Sequence, residues 1–429
     1  MLPRHQIEGD TFVIPKFDID KQDVENFAEN LKGFHGEFKD CFQRSEPRQH
    51  FFKYMAGQLS KLERKSIEPI AFEIEGGNVR GMQKFLSNTY WDEKKILSRY
   101  WNMINEDMGD KEGVLIFDEC GFPKKGNDSV GVAKQYCGVL GKVENCQVGV
   151  FSAYASSQGY TLVDKRLFLP EKWFTEGSDD RRKKCNVPEE LEFKTKPQLA
   201  VEMFTEIKQE ARFPFKYVVA DTIYGNSPEF IKAIEISEET IYFLSISCDT
   251  LCWLKEPITT EKEYKYKMED RIKEVVCEGE KKPIRIDELA KNTNDYFWYR
   301  RKVSEGTKGP IEYEFHKREV ILYRNGLPDR KVLLIVKRTL EKTPIYSYYI
   351  SNAPSSTSLK IFVWLSGIRW AIEQCFEEAK TELGMDQYEL RKYTGWNHHI
   401  LSCMLAHFFL WHLRIKLGKK STTYYSIAD

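Results

Sequence analysis

Gly113-Val-Leu-Ile-Phe-Asp118 is a short apolar run that ends in an aspartate, and Tyr217-Val-Val-Ala-Asp221 repeats the pattern. Continuous apolar runs of this kind are typical of central strands that are buried on both faces. In an open α/β sheet, ligands bind beyond the carboxyl ends of the strands. Asp118 and Asp221 could therefore face one site that suits a pair of Mg²⁺ ions. The alternative is that each aspartate is an ordinary turn or helix-cap residue.

The segments around these two runs indicate a mixed α/β layout. Three β-rich segments, separated by Gly, Asn and Ser, follow the first run. A helical stretch comes next, and one further strand candidate follows the second run. The predicted strands are Tyr136–Leu140, Gln147–Tyr154, Thr161–Leu169 and Ile241–Ile246, and the predicted helix runs from about Pro197 to Arg212.

Periodicity and composition divide the chain into four predicted parts. Residues 1–110 are predicted to be helical, because apolar residues recur at three- and four-residue spacing. Residues 111–247 carry the mixed α/β pattern. Residues 248–345 are strongly charged and β-prone, with aromatic residues between Lys, Glu and Arg. Residues 346–429 return to the helical spacing.

A third acidic residue lies on the helix predicted from Leu359 to Gly384. Apolar residues at helical spacing form a stripe that would pack on a sheet, and Arg369, Glu373 and Lys380 share another face close to it. Glu373 could therefore be held against the two aspartates. Arg369 and Lys380 could contact phosphate groups.

Two alternatives remain open for this helix. It could be an exposed helix whose charged residues only form i, i+4 ion pairs. If one of its acids does belong to a site, Glu377 and Glu378 are rivals of Glu373 on the same helix. Glu373 is therefore the least constrained of the three predicted carboxylates.

The 429-residue chain has 65 Lys plus Arg and 65 Asp plus Glu, so its formal net charge is zero. A zero sum neither favours nor excludes a nucleic-acid partner, because affinity for DNA depends on local basic patches. The basic residues do cluster, and each cluster could be a patch or only a solvated face. The clusters are Lys124–Lys125, Arg181–Lys184, Lys281–Lys282 and Lys419–Lys420.

The cysteines and apolar segments bear on the compartment. Ten cysteines are scattered without a disulfide or zinc-ligand spacing, and the histidines near the C-terminus fit a core role better than a zinc site. Unpaired cysteines and a charged N-terminal segment predict a reducing cytoplasm. The longest apolar stretch, Ile400–Leu413, is too short and too polar for a membrane span.

The helix and the first aspartate resemble a known family. Arg369-x3-Glu373-x6-Lys380 is similar to the Tyr-x2-Arg-x3-Glu-x6-Lys signature of the insertion sequence 4 superfamily of DDE transposases, with Ser366 in place of the tyrosine. The chain is identified more closely as similar to the insertion sequence 701 family. The segments that carry this resemblance are 117–126, 129–138, 141–149, Asp221-Thr-Ile-Tyr-Gly225, 62–71 and 82–86.

The resemblance implies a DNA transposase that binds terminal inverted repeats, cleaves the transposon ends and joins them to target DNA. It implies an RNase H-like catalytic domain made of residues 111–247 and 346–429, interrupted by a β-rich insertion at 248–345. Asp118, Asp221 and Glu373 would bind two Mg²⁺ ions, with Mn²⁺ as a substitute. The N-terminal part, 1–110, would bind the DNA ends, although it has no clear helix-turn-helix signature.

The resemblance also implies partners and a location. The partners are double-stranded DNA, both the inverted repeats and the target, and a second copy of the chain in a synaptic homodimer. No membrane partner is expected. The location is the bacterial cytoplasm, on the nucleoid when the protein is bound to DNA.

DNA contacts are predicted at several residues outside the three acids. Lys124 and Lys125 follow Asp118 on a Gly-flanked loop and are interpreted as phosphate contacts, with Lys134 and Tyr136 as weaker candidates. Arg369 and Lys380 would contact the DNA backbone near the active centre. In related transposases an insertion-domain tryptophan can stack on a flipped base. Trp253 or Trp298 could do so, or both could be core residues.

Two other functions would keep parts of this pattern. An RNase H-like endonuclease without strand transfer would share the carboxylates but would show no preference for inverted repeats. A domesticated, non-catalytic DNA-binding protein would bind DNA without cutting it. The presence of all three acids argues against the second alternative, because a protein that only binds DNA has no physical need to keep three mutually repelling carboxylates together.

Overall fold

The structure, a computed structural model, describes residues 16–17, 25–210, 213–264, 271–306, 309–417 and 420–421. Contacts divide the chain into two compact units. The terminal unit consists of the described residues within Ile14–Lys216 and Arg369–Tyr425, and the middle unit consists of those within Tyr217–Ile368. These two units are defined by residue contacts alone. The division into four parts, at 1–110, 111–247, 248–345 and 346–429, stays a prediction.

Helices and strands alternate along both units. The helices are α1 (Phe27–Gly36), α2 (Ser45–Gln58), α3 (Ile67–Glu73), α4 (Val79–Ser87), α5 (Glu93–Met108), α6 (Asp179–Lys184), α7 (Lys196–Glu210), α8 (Thr222–Gly225), α9 (Pro228–Glu235), α10 (Ile286–Lys291), α11 (Leu359–Ile368), α12 (Trp370–Leu383) and α13 (Tyr393–Leu417). The strands are β1 (Lys16–Phe17), β2 (Val114–Pro123), β3 (Ala133–Cys137), β4 (Lys142–Ser156), β5 (Gly159–Phe168), β6 (Tyr217–Ala220), β7 (Ile241–Ser245), β8 (Leu251–Trp253), β9 (Thr259–Tyr264), β10 (Arg271–Val276), β11 (Ile284–Arg285), β12 (Tyr299–Gly306), β13 (Gly309–Arg324), β14 (Leu327–Arg338), β15 (Tyr346–Ser351) and β16 (Lys420–Ser421).

The sheet of the terminal unit is built around β4, which pairs antiparallel with β2, β3 and β5. The apolar run predicted that the first strand ends at Asp118. Strand β2 instead continues to Pro123. The reason is its long partner: β2 pairs with β4 from Val114 opposite Ala155 to Pro123 opposite Cys146. That ladder carries the strand past the polar residues at 118 and 119 because Cys120 and Phe122 are buried again.

Helices α12 and α13 form the core of the terminal unit. Helix α12 packs on β2, β4 and β5, and α13 packs on β5 and on the N-terminal helices. Helix α13 is long and apolar enough to cross a membrane by length and composition, but 72% of its most apolar window is buried inside the protein. Such burial is typical of a core helix, and Trp396 and Trp411 are among its largest buried side chains.

The N-terminal helices pack against one another over an aromatic cluster. Phe42 and Phe51 contact Trp91, at ring-centroid distances of 5.5 Å each. Helices α2 and α3 approach so closely that a Cβ at Gly57 would lie 2.3 Å from Cγ2 of Ile70. This crossing therefore requires glycine in α2 and fixes α3 against it.

The middle unit is also mixed. Strand β6 pairs parallel with β7. From β7 the sheet continues antiparallel through β15, β14 and β13, and the last of these pairs with both β12 and β8. The predicted β-rich stretch 248–345 contains β8 to β14, so its strand-like composition is confirmed.

None of the ten cysteines forms a disulfide. Eight of them are buried, Cys277 is partly buried and Cys248 is exposed. Burial raises the pKa of the Cys120 thiol, which lies two residues after Asp118, to about 11. The buried thiols thus act as small apolar side chains of the core.

Candidate active site

Asp118 lies on β2 opposite Phe151 of β4, with its side chain 16% exposed. Its Oδ1 accepts a hydrogen bond from the backbone N–H of Glu119 at 2.8 Å, which fixes the carboxylate rotamer. The neighbouring acid, Glu119, is paired with the ammonium of Lys196 at 2.7 Å. Asp118 is thus held rigidly, and its neighbour's charge is balanced elsewhere.

Arg369 connects Asp118 to Glu373. Nη1 of Arg369 lies 3.5 Å from Oδ2 of Asp118, and Nη2 donates to Oε1 of Glu373 at 2.7 Å. The arginine directly precedes α12 at its N-cap position without a side-chain cap hydrogen bond, and Glu373 lies in the first turn of that helix. The sequence predicted one helix from Leu359 to Gly384, whereas α11 ends at Ile368 and α12 begins at Trp370.

The rival acids of α12 are placed differently. Glu378 accepts hydrogen bonds from Tyr160 at 2.7 Å and from His407 at 2.8 Å. Burial alone would raise the pKa of Glu378, but these hydrogen bonds and the imidazole charge outweigh it and lower the pKa. Glu377 is exposed, and only Glu373 is joined to Asp118 through Arg369. This arrangement favours Glu373 as the third acid.

Asp221 belongs to the middle unit. It follows β6 directly, as predicted, and is the N-cap residue of the single-turn helix α8. Its carbonyl oxygen accepts hydrogen bonds from the N–H groups of Tyr224 and Gly225, each at 3.0 Å, while its side chain makes no cap hydrogen bond. The carboxylate is therefore not used to cap the helix.

Metal ligands are not clustered in the described residues, where no three His, Cys, Asp or Glu side chains come together closely enough to hold an ion. The terminal unit brings together two of the predicted acids, Asp118 and Glu373, through one guanidinium. Both offer carboxylate oxygens, the donor type that Mg²⁺ and Mn²⁺ prefer. The chemistry of this pair therefore fits a divalent cation.

Two of the predicted phosphate-binding lysines contact the protein itself. The ammonium of Lys124 lies 3.5 Å above the ring of Tyr388 and donates to the Tyr388 carbonyl at 3.2 Å. Burial lowers the pKa of Lys124 to about 8. The ammonium of Lys380 lies 3.5 Å from the carbonyl of Gly121 on β2. Lys380 is therefore close to the strand that carries Asp118.

The other two, Lys125 and Lys134, line an open cleft of about 800 Å³ in the terminal unit. The charged side chains that line the cleft are five cations and two acids. They are Lys125, Lys134, Lys172, Arg181 and Lys184, with Asp128 and Asp180. Tyr136, on the same strand as Lys134, is 58% exposed. Sequence reasoning missed Lys172, because this cation lies in none of the basic clusters of the sequence and only folding brings it to the cleft.

The two candidate tryptophans are buried in the middle unit. Trp253 is 4% exposed and donates from Nε1 to the Lys281 carbonyl at 2.7 Å. Trp298 is 7% exposed, and the guanidinium of Arg338 lies 4.1 Å above its ring. Both are therefore core residues, which was the predicted alternative to base stacking. The basic residue Lys419 lies outside the described residues.

The chain matches the family model described as DDE superfamily endonuclease over residues 37–310. A protein named as a probable transposase for insertion sequence element IS701, from Microchaete diplosiphon, is 23% identical over 346 residues. That match covers 80% of this chain and 77% of the relative, and it confirms the resemblance to the insertion sequence 701 family.

Two solved structures show weaker likeness. The piggyBac transposase synaptic complex with hairpin DNA has a TM-score of 0.45 and 8% identity, covering 96% of this chain and 80% of the other. The NurA nuclease from Sulfolobus solfataricus has a TM-score of 0.26 and 10% identity, covering 69% and 95%. Both TM-scores are below 0.5, so neither likeness carries an argument about this chain.

Proposed function

The chain belongs to the DDE superfamily of endonucleases, and we propose that it is a DNA transposase. It binds the terminal inverted repeats of its element, cleaves the ends and joins them to target DNA in a cut-and-paste reaction. The observation that carries the proposal is Arg369, whose guanidinium contacts both Asp118 and Glu373. Two acids far apart in the sequence are thereby held at one place.

The catalytic domain of this proposal is RNase H-like, formed by residues 111–247 and 346–429 around the insertion. Two observations support it. Strand β4 pairs antiparallel with β2 and with β5 over nearly the same residues, so it lies between them, and β6 runs parallel to β7. In this proposal Asp118 on β2 and Asp221 after β6 would be the first two acids, and Glu373 on α12 would be the third.

Asp118 and Glu373, with Asp221, would hold two Mg²⁺ ions, or Mn²⁺ in their place. Bound there, the ions would neutralise charge on the phosphodiester and favour deprotonation of the attacking oxygen. Arg369 keeps the carboxylates of Asp118 and Glu373 oriented and offsets their mutual repulsion. Lys125 and Lys134 hold the DNA backbone in the cationic cleft, outside the acidic centre.

This assignment also commits to partners. Joining two transposon ends requires two active centres, so we expect a homodimer in the complex with DNA. The protein acts in the bacterial cytoplasm, on nucleoid DNA. A tryptophan that stacks on a flipped base is not part of the proposal, because Trp253 and Trp298 are both buried.

The decisive experiment is cleavage of a labelled duplex that carries the element's own terminal repeat, with Mg²⁺ and with EDTA. Wild type is compared with Asp118→Ala, Asp221→Ala and Glu373→Ala, and with Glu377→Ala as the matched control. We expect metal-dependent cuts at the repeat boundary, lost in the first three variants and kept in the fourth. DNA binding should persist in all four.

Other outcomes would replace the proposal. Metal-dependent cutting without preference for the repeat indicates an endonuclease without strand transfer. Tight binding with no cutting in either Mg²⁺ or Mn²⁺ indicates a DNA-binding protein. Cleavage by Asp221→Ala at the wild-type rate would remove that residue from the site.

A further inference from the structure

Helix α4 presents a continuous polar face to solvent. Met82, Phe85 and Leu86 are buried on one side of the helix. Arg80, Gln83, Lys84 and Ser87 recur at i, i+3, i+4 and i+7, so they line the opposite side. The first three of these are exposed. An amphipathic helix on the surface of a small bundle normally has such a face, so periodicity alone decides nothing.

The composition of this face and its lack of partners are more informative. Within the part of the chain that the structure describes, no hydrogen bond or ion pair engages the side chains of Arg80, Gln83 or Lys84. Many other exposed cations of the terminal unit do have carboxylate partners, as Lys95 has with Asp40 at 3.1 Å. Arginine, lysine and glutamine are the side chains that pair with guanine and adenine edges.

The helix is also presented as a ridge between two clefts. One cleft, of about 700 Å³, is lined by the Arg80 side of α4 and by Arg391 and Lys392. The other, of about 310 Å³, lies on the Gly81 and Phe85 side and contains Arg44 and His50. Arginine and lysine side chains therefore flank the helix on both sides, where they could contact phosphates beside a groove-bound helix.

The acids of these clefts are fewer than the cations. Glu389 is paired with Arg64, and Glu46 lies 3.9 Å from His50. Glu68 is the remaining acid in the larger cleft. Together the two clefts hold five arginine and lysine side chains against three acids. Among these cations, Arg391 also lies 3.6 Å from Asp128, and among the acids Glu389 is already paired with Arg64.

The helices that pack against α4 hold it in a fixed position. Helices α2, α3 and α4 pack against one another, and a five-residue turn, Ile74–Asn78, joins the last two. Gly76 takes a left-handed φ of 65° in this turn, and Asn78 caps α4 by accepting from the N–H of Gly81. The result is two short helices joined by a tight turn, both packed on a third helix that supports them.

We propose that α4 is a sequence-reading helix that enters the major groove of duplex DNA. Arg80, Gln83 and Lys84 contact base edges, while Arg44, Arg391 and Lys392 contact the flanking phosphates. The DNA is the end of the element, because the proposed transposase must distinguish its own ends from other sequence. The inference rests on that proposed function and deepens it by assigning end recognition to named residues.

The groove itself favours DNA over RNA. The major groove of B-form DNA admits an α-helix, whereas the major groove of A-form RNA is too narrow for side chains to read. A protein partner is disfavoured by the face, which is polar throughout and carries unpaired charge. Duplex RNA of the selected sequence is therefore a negative control in the binding test.

The test uses the full chain in EDTA, so that cleavage does not remove the complex. A duplex library with a randomised core is first enriched on wild type, and the selected duplex is compared with a shuffled duplex of equal composition. Arg80→Ala/Gln83→Ala should lower the preference for the selected duplex roughly tenfold or more. Arg391→Ala/Lys392→Ala should weaken binding to both duplexes equally and reduce the salt slope by about two.

The matched control is Gln49→Ala/Lys94→Ala, which removes an amide and a cation from exposed helix positions outside both clefts. It should bind as wild type does, and all variants should keep the wild-type melting temperature. Wild-type preference retained in Arg80→Ala/Gln83→Ala would overturn the inference. If the same variant still cleaved DNA with metal, the proposed transposase would stand and only its reading helix would be reassigned. Enrichment of no sequence at all by wild type would also overturn the inference.

Discussion

Arg369 is the residue that joins the two acids of the candidate site. Its side chain is 28% exposed, and it contacts an acid that is 16% exposed and another that is 44% exposed. In a partly solvated setting each ion pair contributes little to stability. Its importance is therefore geometric, because it holds two carboxylates at one position and orients them.

Replacing Arg369 with glutamine should separate orientation from binding. Arg369→Gln keeps a hydrogen-bond donor but loses the guanidinium charge that contacts both carboxylates, so we expect cleavage to slow by about 10- to 100-fold. DNA affinity and melting temperature should change little, and Arg369→Lys should recover part of the rate. Single-turnover cleavage and fluorescence anisotropy measure the two quantities. Arg318→Gln, an exposed arginine of the middle unit, is the control. A wild-type rate in Arg369→Gln would remove the residue from the site.

The adjacent pair Lys124 and Lys125 offers a matched comparison, because the first lies on Tyr388 and the second lines the cleft. Lys124→Met should lower the free energy of unfolding by about 1 kcal/mol, since it removes a cation–π contact and a hydrogen bond. Lys125→Met should leave stability unchanged and weaken DNA binding. Urea unfolding and salt-dependent anisotropy test the pair. The reverse pattern would exchange the two roles.

At the scale of elements, sequence reasoning succeeded where a local pattern decides the structure. Asp221 follows β6 as predicted, because the apolar run Tyr217–Ala220 is bounded by a polar residue that starts a helix. Strand β2 was predicted too short, because its continuation depends on pairing with β4, which no local window contains. The break between α11 and α12 was missed because both sides of Arg369 have good helical periodicity.

Helix α4 shows a different limit of prediction from the sequence. Its buried residues Met82, Phe85 and Leu86 have the apolar three- and four-residue spacing that predicts a helix, whereas its polar face has no comparable signal. A polar side chain on a surface helix has no distinguishing pattern until the structure shows whether it has partners. Likewise, Arg369 and Glu373 were predicted to share a face, whereas the contact with Asp118 needed the packing of α12 on β2.

Helix α13 makes stability depend on pH. His399 is fully buried, with Nε2 donating to the Met385 carbonyl at 3.1 Å and Nδ1 accepting from Tyr54 at 2.8 Å. Burial lowers its pKa, and that of His398, to about 4. Because only the unfolded state takes up these protons, the free energy of unfolding should fall as the pH drops from about 6.5 to about 4. The fall is about 1.4 kcal/mol per pH unit for each histidine.

Urea unfolding at several pH values checks this dependence. His399→Gln should lower stability at neutral pH, because the Tyr54 and Met385 hydrogen bonds change, but it should flatten the decline below pH 6.5. Gln49→Ala, at an exposed position of α2, should keep the wild-type decline. An identical slope in wild type and His399→Gln would refute the assignment.

The whole molecule combines a zero net charge with local positive clefts. Binding to DNA should therefore be strongly salt-dependent even though the protein as a whole is neutral, because counterion release depends on the phosphates contacted. The triple change Lys125→Ala, Lys134→Ala and Lys184→Ala should reduce the slope of log K against log salt by about three. Anisotropy titrations at several salt concentrations measure it.

A triple change of equal charge on exposed lysines of the middle unit is the control for that slope. The control residues are Lys281, Lys331 and Lys342. If they reduced the slope as much as the cleft lysines do, the DNA path would lie on the middle unit. The sequence could not separate these sets, since each lysine is equally charged and only folding groups them.

The distribution of thiols has a practical consequence. With eight of the ten cysteines buried, Cys277 partly buried and Cys248 exposed, a maleimide reagent under native conditions should react first at Cys248. The wild-type chain thus carries a natural attachment point for one fluorophore, placed in the middle unit and separate from the three acids. Labelled DNA could then report energy transfer to this position without any engineered cysteine, and unfolding would be recognised by the release of the remaining thiols.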